Sequence, residues 1–354
     1  ASDSVGYIVR ARKDKEARDD GQWGVAFRYF APELNDTEFG FYAMNYHSRT
    51  PFYSSVAGSY LAVTGSMEPA LRPFGGGPGF VGALMDPTSP LNAAANATLT
   101  ALQGANAMRT AGRIQGIDGA MGPAGYFFEY PEDIRLYGVS FQTSISGVSV
   151  GGELSYRPNM PMQINTGDQS RAALVAALSA DNTHRNLSPG VGTEFKGYER
   201  KELWQAQVTA VHFIDQVLGA SRLSLVGEAG VNYIGGLGDT TKFGRDSLFG
   251  QSPYLESDVG AVPGDCAAVD AASRTGQNKA ISWCENDGFY TRWSSGYRVR
   301  AALEYSNVFR GINLSPSIAW SHDVDGYGPN FTEDAKSVSL GLNADYANKY
   351  NASI

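Results

Sequence analysis

The sequence predicts an all-β protein, an antiparallel transmembrane β-barrel with long extracellular loops carrying short helices. Three observations predict it. Apolar and polar residues alternate with period two in nine segments, with a tenth beginning at Tyr350. Each segment runs about ten residues, the length a tilted strand needs to cross a bilayer. The connections between them alternate short and long, as they do when turns face the periplasm and loops face outward. A soluble sandwich or propeller has no reason to gather its long loops so regularly at one end.

The segments follow in order. Trp23, Val25, Phe27 and Tyr29 form the first apolar row and pair with residues 39–46 across a short turn. Residues 39–46 are apolar on both faces, which suits a strand whose inner side meets a plug or an apolar lumen. Tyr137, Val139, Phe141 and Thr143 lead through Ser146-Gly147 into Val148, Val150, Leu154 and Tyr156, opposed by Ser149, Glu153, Ser155 and Arg157. Trp204, Ala206, Val208 and Ala210 form the next row, then Leu223, Leu225, Ala229, Val231 and Tyr233. The clearest segment has Trp293, Tyr297, Val299, Ala301, Leu303 and Tyr305 on one side and Arg292, Arg298, Arg300 and Glu304 on the other. Ile312, Leu314, Ile318 and Trp320 follow, with Pro316 in mid-strand where it removes a ladder donor. Val338, Leu340, Leu342, Ala344 and Tyr346 close the series.

Successive side chains of a strand point to opposite sides, so each segment separates a greasy surface from a wet one. Charges are expensive in lipid. Arg28, Glu153, Arg157, Glu228, Arg292, Arg298, Arg300, Glu304 and Asp345 are therefore expected to face the lumen. There they serve either a salt-bridged interior or a field for permeating solutes.

The 354 residues are read as one barrel. Residues 48–133 are too long for bare loop, and read as an insert that caps or enters the lumen; a loop with a surface helix accounts for them equally. Ser89-Pro90-Leu91 resembles a helix start, and a second helix is expected around residues 169–178. The start at Ala1-Ser2-Asp3 lacks a signal-peptide pattern, and Ile354 falls in strand-like sequence, so a longer parent chain is expected.

Composition narrows the function. Charged residues make up 18% and the net charge is −8, which argues against a nucleic-acid partner because phosphate binding needs clustered Lys and Arg. The longest wholly apolar run, 172–178, has seven residues, far short of a membrane helix. Cys266 and Cys284 belong to no metal-binding pattern. Two unrelated thiols or a loop-closing disulfide account for them, and the disulfide, favoured here, implies an oxidising compartment. Asp323, Asp325, Asn330 and Glu333 are hard oxygen donors of the kind that hold calcium; Tyr327 breaks the EF-hand pattern, and a solvated acidic loop explains the same residues. No other cofactor is expected. Gly147-Val148-Ser149-Val150-Gly151 has the letters of a nucleophile elbow, but Ser149 sits inside an alternating strand rather than at a sharp strand-to-helix turn. Gly77-Pro78-Gly79-Phe80-Val81-Gly82 spells a dinucleotide fingerprint without the strand and helix that give it meaning. No enzyme is expected.

Two stretches carry a resemblance: Arg12 to Gly24, which reads RKDKEARDDGQWG, and Gly40 to Tyr53, which reads GFYAMNYHSRTPFY. Both are similar to the Gram-negative family called domain of unknown function 1302, whose members are longer and carry an additional N-terminal part. The resemblance implies an outer-membrane barrel working beside a periplasmic companion protein and an inner-membrane transporter of the resistance-nodulation-division type, in hydrophobic-compound or lipid traffic. The expected function is passage or binding of hydrophobic small molecules or lipids among the outer-membrane lipids; the alternative is a general diffusion porin for polar solutes.

Overall fold

The structure is a computed structural model that describes residues 9–10, 12–56, 125–169, 194–244, 287–347 and 349–354. Its strands are β1 (Val9–Arg10), β2 (Trp23–Ala31), β3 (Thr37–Tyr46), β4 (Phe52–Val56), β5 (Gly125–Glu129), β6 (Ile134–Ile145) and β7 (Val148–Gln163). The remainder are β8 (Glu194–Phe195), β9 (Tyr198–Val217), β10 (Ala220–Gly235), β11 (Trp293–Phe309), β12 (Ile312–Asp325), β13 (Lys336–Tyr346) and β14 (Tyr350–Ser353).

Ten strands form one antiparallel sheet in the order β14-β13-β12-β11-β10-β9-β7-β6-β3-β2. They correspond one for one to the ten alternating segments. β2 and β14 are its edges, and no pairing joins them among the described residues. Three of the tight turns have two residues: 146–147, 218–219 and 310–311. In each the first residue (Ser146, Leu218, Arg310) and the following glycine both have positive φ. Two positive φ values give the turn whose twist matches the flanking strands, which is why glycine occupies the second position each time.

Strands run longer than the alternation predicts: β9 spans 20 residues and β11 spans 17. The alternation marks only the stretch where one face is apolar. The ladder continues past it among polar pairs such as Asp215 opposite Arg222, joined at 3.2 Å. Pro316 has the local effect its chemistry demands. Pairing with β11 passes from Ala302–Ser317 to Tyr305–Leu314 without it, while the pairing with β13 stays continuous.

Register places every apolar row on one face. Phe27, Phe41, Val139 and Leu154 lie side by side across four strands, as do Leu225, Ala301, Ile318 and Leu340 further along. This face is open to its surroundings: Phe27 is 61% and Leu340 74% exposed. Near the long connections it carries an unbroken aromatic row, Tyr137–Tyr156–Trp204–Tyr233–Trp293, with Tyr156 stacked on Trp204 at 4.1 Å. Near the short turns Tyr29, Phe39 and Phe141 form a second row, and Tyr346 stacks on Tyr350.

The buried core lies at the end of the sheet where the long connections emerge. Met162, Ile164, Leu203, Ile234 and Phe243 cluster there, flanked by Met160, Leu237 and Tyr290. Beside it sits a second sheet of four short strands in the order β1-β5-β4-β8, with β1 parallel to β5. The long connections thus fold into structure of their own, although of the 48–133 insert only residues 48–56 and 125–133 are described. The helix expected near 169–178 starts earlier, at Thr166, where the Asn165 side chain accepts from the Asp168 N–H at 2.8 Å as an N-cap does. Its later residues, the Ser89 helix start, the Gly77–Gly82 stretch, Cys266 and Cys284 lie outside the described residues.

Candidate functional site: the polar face and its inward hairpin

Nearly all the candidate charges lie on the polar face, but in separate groups. Arg28 stands opposite Gly40 and reaches Glu38 at 3.8 Å. Arg157 donates to the Gln205 side chain, and Glu153 accepts from Gln207 at 3.3 Å. Glu228 stands opposite Arg298 and accepts from the Thr209 hydroxyl at 3.4 Å. Arg300 stands between Val226 and Ala319. Glu304 faces Arg222, and Asp345 lies between Asn313 and Asn351. Arg292 occupies no ladder position; it precedes β11 in the connection, where its carbonyl accepts from the Ile234 N–H at 2.8 Å. Ser149 lies within the β7 ladder between Ser144 and Val211.

One feature escaped the sequence reading. The connection between β12 and β13 folds back onto the polar face as a small hairpin closed by the Tyr327–Thr332 bridge. Phe331, only 6% exposed, rests on the cross-strand glycine pair Gly230 and Gly296. A Cβ at Gly230 would lie 3.2 Å from the Phe331 ring, and one at Gly296 would lie 2.9 Å from it. The two glycines flatten the wall so that an aromatic ring can seat there. Asn330 Oδ1 accepts from Gln205 at 2.8 Å and from Asn232 at 3.3 Å, which ties the hairpin tip to β9 and β10.

The acidic residues considered for calcium close this hairpin. Asp323 Oδ2 accepts from the Thr332 N–H at 2.9 Å, and Glu333 accepts from the Gly326 N–H at 3.2 Å. Asp323 also lies 3.7 Å from Arg298, and Asn330 is engaged at the tip. No group of three or more His, Cys, Asp or Glu side chains among the described residues could hold a metal ion.

The polar face changes character towards the long connections. Tyr42, Met44 and Leu136 project from it on β3 and β6, and Leu203 and Ile234 pair on it at the buried cluster. The two-sided apolar strand expected over residues 39–46 is β3, with Gly40, Tyr42 and Met44 on this side and the Tyr42 hydroxyl 3.2 Å from Ser140 Oγ. On the opposite, apolar face a shallow depression of about 500 Å³ lies among Val25, Phe41, Ala43, Tyr137, Leu154 and Trp204.

At the rim the segment before β2 is strapped down by ion pairs. Arg18 binds Asp133 at 2.7 Å and Glu132 at 3.1 Å, while Lys15 binds Glu194 at 2.6 Å. Asn45's amide, with Arg18 adding, holds the Asp133 carboxyl below its ordinary value of 3.8. Lys15 and then Arg12 hold Glu194 below 4.5. A carboxylate with a depressed folded-state pKa contributes stability above its unfolded pKa and loses it as pH falls through the folded one. Residues 12–22 are accordingly expected to be held at neutral pH and to loosen as acidification passes below the ordinary carboxylate range and through the depressed folded-state values. Hydrogen exchange across that range checks this; exchange in the segment unchanged on acidification would contradict it.

Geometry thus defines an all-β chain whose principal antiparallel sheet has an apolar and a polar face, the polar one crossed by a tucked hairpin. The profile of the family described as protein of unknown function (DUF1302) matches residues 1–354, and the chain belongs to that family. No curated protein and no solved structure matches it.

Proposed function

We propose that the ten-stranded sheet is the wall of a bacterial outer-membrane β-barrel that passes or binds hydrophobic small molecules or lipids. Several features support a wall in lipid. The apolar face is continuous, exposed and bordered by aromatic rows, as in barrels whose aromatic girdles sit at both interfaces. On β11 the twelve-residue step from Trp293 to Tyr305 covers about 40 Å along the strand, or about 30 Å across a membrane at the usual tilt. An edge such as β2, with Trp23, Val25 and Phe27 exposed, is an aggregation hazard in water, and closing the sheet removes it.

The observation that carries a hydrophobic cargo is the second apolar zone, on the lumen side of the same wall, where Tyr42, Met44 and Leu136 project from β3 and β6, separated by Arg157 from the buried Leu203–Ile234 pair. A passage for ions alone has no use for it. Such transport requires no bond chemistry, so the protein is read as a non-enzyme. A general porin for polar solutes is the second reading, favoured by the exposed Arg298 and Arg300 and the half-buried Glu228 beside them. Conductance in planar bilayers separates the two. The hydrophobic route is expected to give no large steady current, and a large, steady, ohmic one would leave the porin.

A further inference from the structure

Charges of both signs lie on the polar face: β7 carries Glu153 and Arg157, β10 carries Glu228 and Arg222, and β11 carries Arg298, Arg300 and Glu304. Beyond β11 the same face of β12 and β13 is paved with small neutral residues: Ser317, Ala319 and Ser321 opposite Gly341, Ser339 and Ser337. The Ser321 and Ser337 hydroxyls lie 2.8 Å apart.

Within this arrangement the arginines differ. Arg298 is occupied, 3.7 Å from Asp323 and with its guanidinium carbon 6.0 Å from the Phe331 ring centre. Arg300 has the apolar Val226 and Ala319 as cross-strand neighbours, and no ion pair or hydrogen bond holds its side chain among the described residues. The nearest acid along β10 is Glu228, one diagonal step away, held by Thr209. An exposed guanidinium beside serine hydroxyls, which can donate as well as accept, offers several donors to an anion and has no carboxylate of its own paired to it among the described residues. Guanidinium pairs best with a carboxylate or phosphate, through two parallel N–H donors.

Resting on the hydrophobic-cargo reading, we propose that Arg300 and the serine floor of β12–β13 bind the anionic head of an amphipathic cargo, a long-chain carboxylate. The Asn330–Phe331 tip, seated beside Arg298, bounds the site on the side of the long connections.

The test uses the protein in lipid nanodiscs, photolabelled with a diazirine-bearing fatty acid or its methyl ester and competed with the unlabelled compounds. Wild type is expected to bind the acid more tightly than the ester. R300Q is expected to weaken the acid about tenfold or more, the scale of a lost charge-assisted pair, and to leave the ester unchanged. R300K, which keeps the charge without the fork, falls between. Heat-modifiable migration on gels establishes that the variants are folded. Acid and ester bound equally by wild type, or weakened equally by R300Q, would overturn the anion site while leaving the cargo reading intact. Saturable labelling by neither compound would overturn both.

Discussion

Gly197→Ala is expected to unseat the four-stranded sheet from the ends of β7 and β9. Gly197 is buried at the meeting point of three elements. Its N–H donates to Ser54 Oγ at 2.9 Å, and its carbonyl accepts from the Ile164 N–H at 2.8 Å and from Gln163 Nε2 at 2.7 Å. Gln163 in turn accepts from the Tyr53 N–H and donates to its carbonyl, at 2.8 and 2.9 Å. Gln169, with its amide turned to suit both neighbours, donates to the same carbonyl and accepts from Gly197. A Cβ on residue 197 would overlap the Tyr53 carbonyl oxygen. One methyl group therefore forces apart a buried polar network whose members would lose their partners together, a change of the class that costs about 3 kcal/mol or more. Limited proteolysis should open β4 and β5 in this variant and spare the main sheet. Gly227→Ala is the control, since the nearest atom to a Cβ there, on Val299, is 4.0 Å away. Equal protease resistance in the two variants would show that this contact does not hold the small sheet.

The ten main strands were legible because each has one apolar face over about ten residues, and a period of two is visible at that length. Their ends were not legible. Beyond the apolar band both faces are polar, and pairs such as Asp215–Arg222 extend the ladder without leaving an alternating signature. The four-stranded sheet was invisible for another reason: β4 and β5 have five residues each, β1 and β8 only two, and their partners lie far apart in sequence. The charges on the polar face followed from parity alone; Arg292 shares that parity but lies just before β11, because parity does not say where a strand begins. The carboxylates of Asp323 and Glu333 looked like ligands, but they satisfy backbone N–H groups that a tight hairpin would otherwise leave unpaired. A signal for the inward hairpin did exist. Gly230 and Gly296 fall on the polar face of two well-formed strands, where glycine weakens the ladder unless something must approach closely. Phe331, a lone large apolar residue in a polar connection, is what approaches.

Leu340→Arg tests the membrane assignment through a contrast in which water and lipid give opposite answers. Leu340 lies near the middle of β13, opposite Ile318, and is 74% exposed. If that face met water, replacing so exposed a leucine by arginine would change stability by no more than about 0.5 kcal/mol. If it meets acyl chains, the guanidinium must sit in hydrocarbon or drag water in, at a cost of about 2–4 kcal/mol near the midplane. Ser339→Arg moves the same charge one residue along the strand and so onto the polar face, beside Ala319 and away from lipid. Urea unfolding from phospholipid vesicles is expected to destabilise Leu340→Arg by that larger amount and to leave Ser339→Arg close to wild type. The alternation of faces makes the pair decisive. Equal stability of both variants would mean that the exposed apolar face is not a lipid surface, and the barrel reading would fall with it.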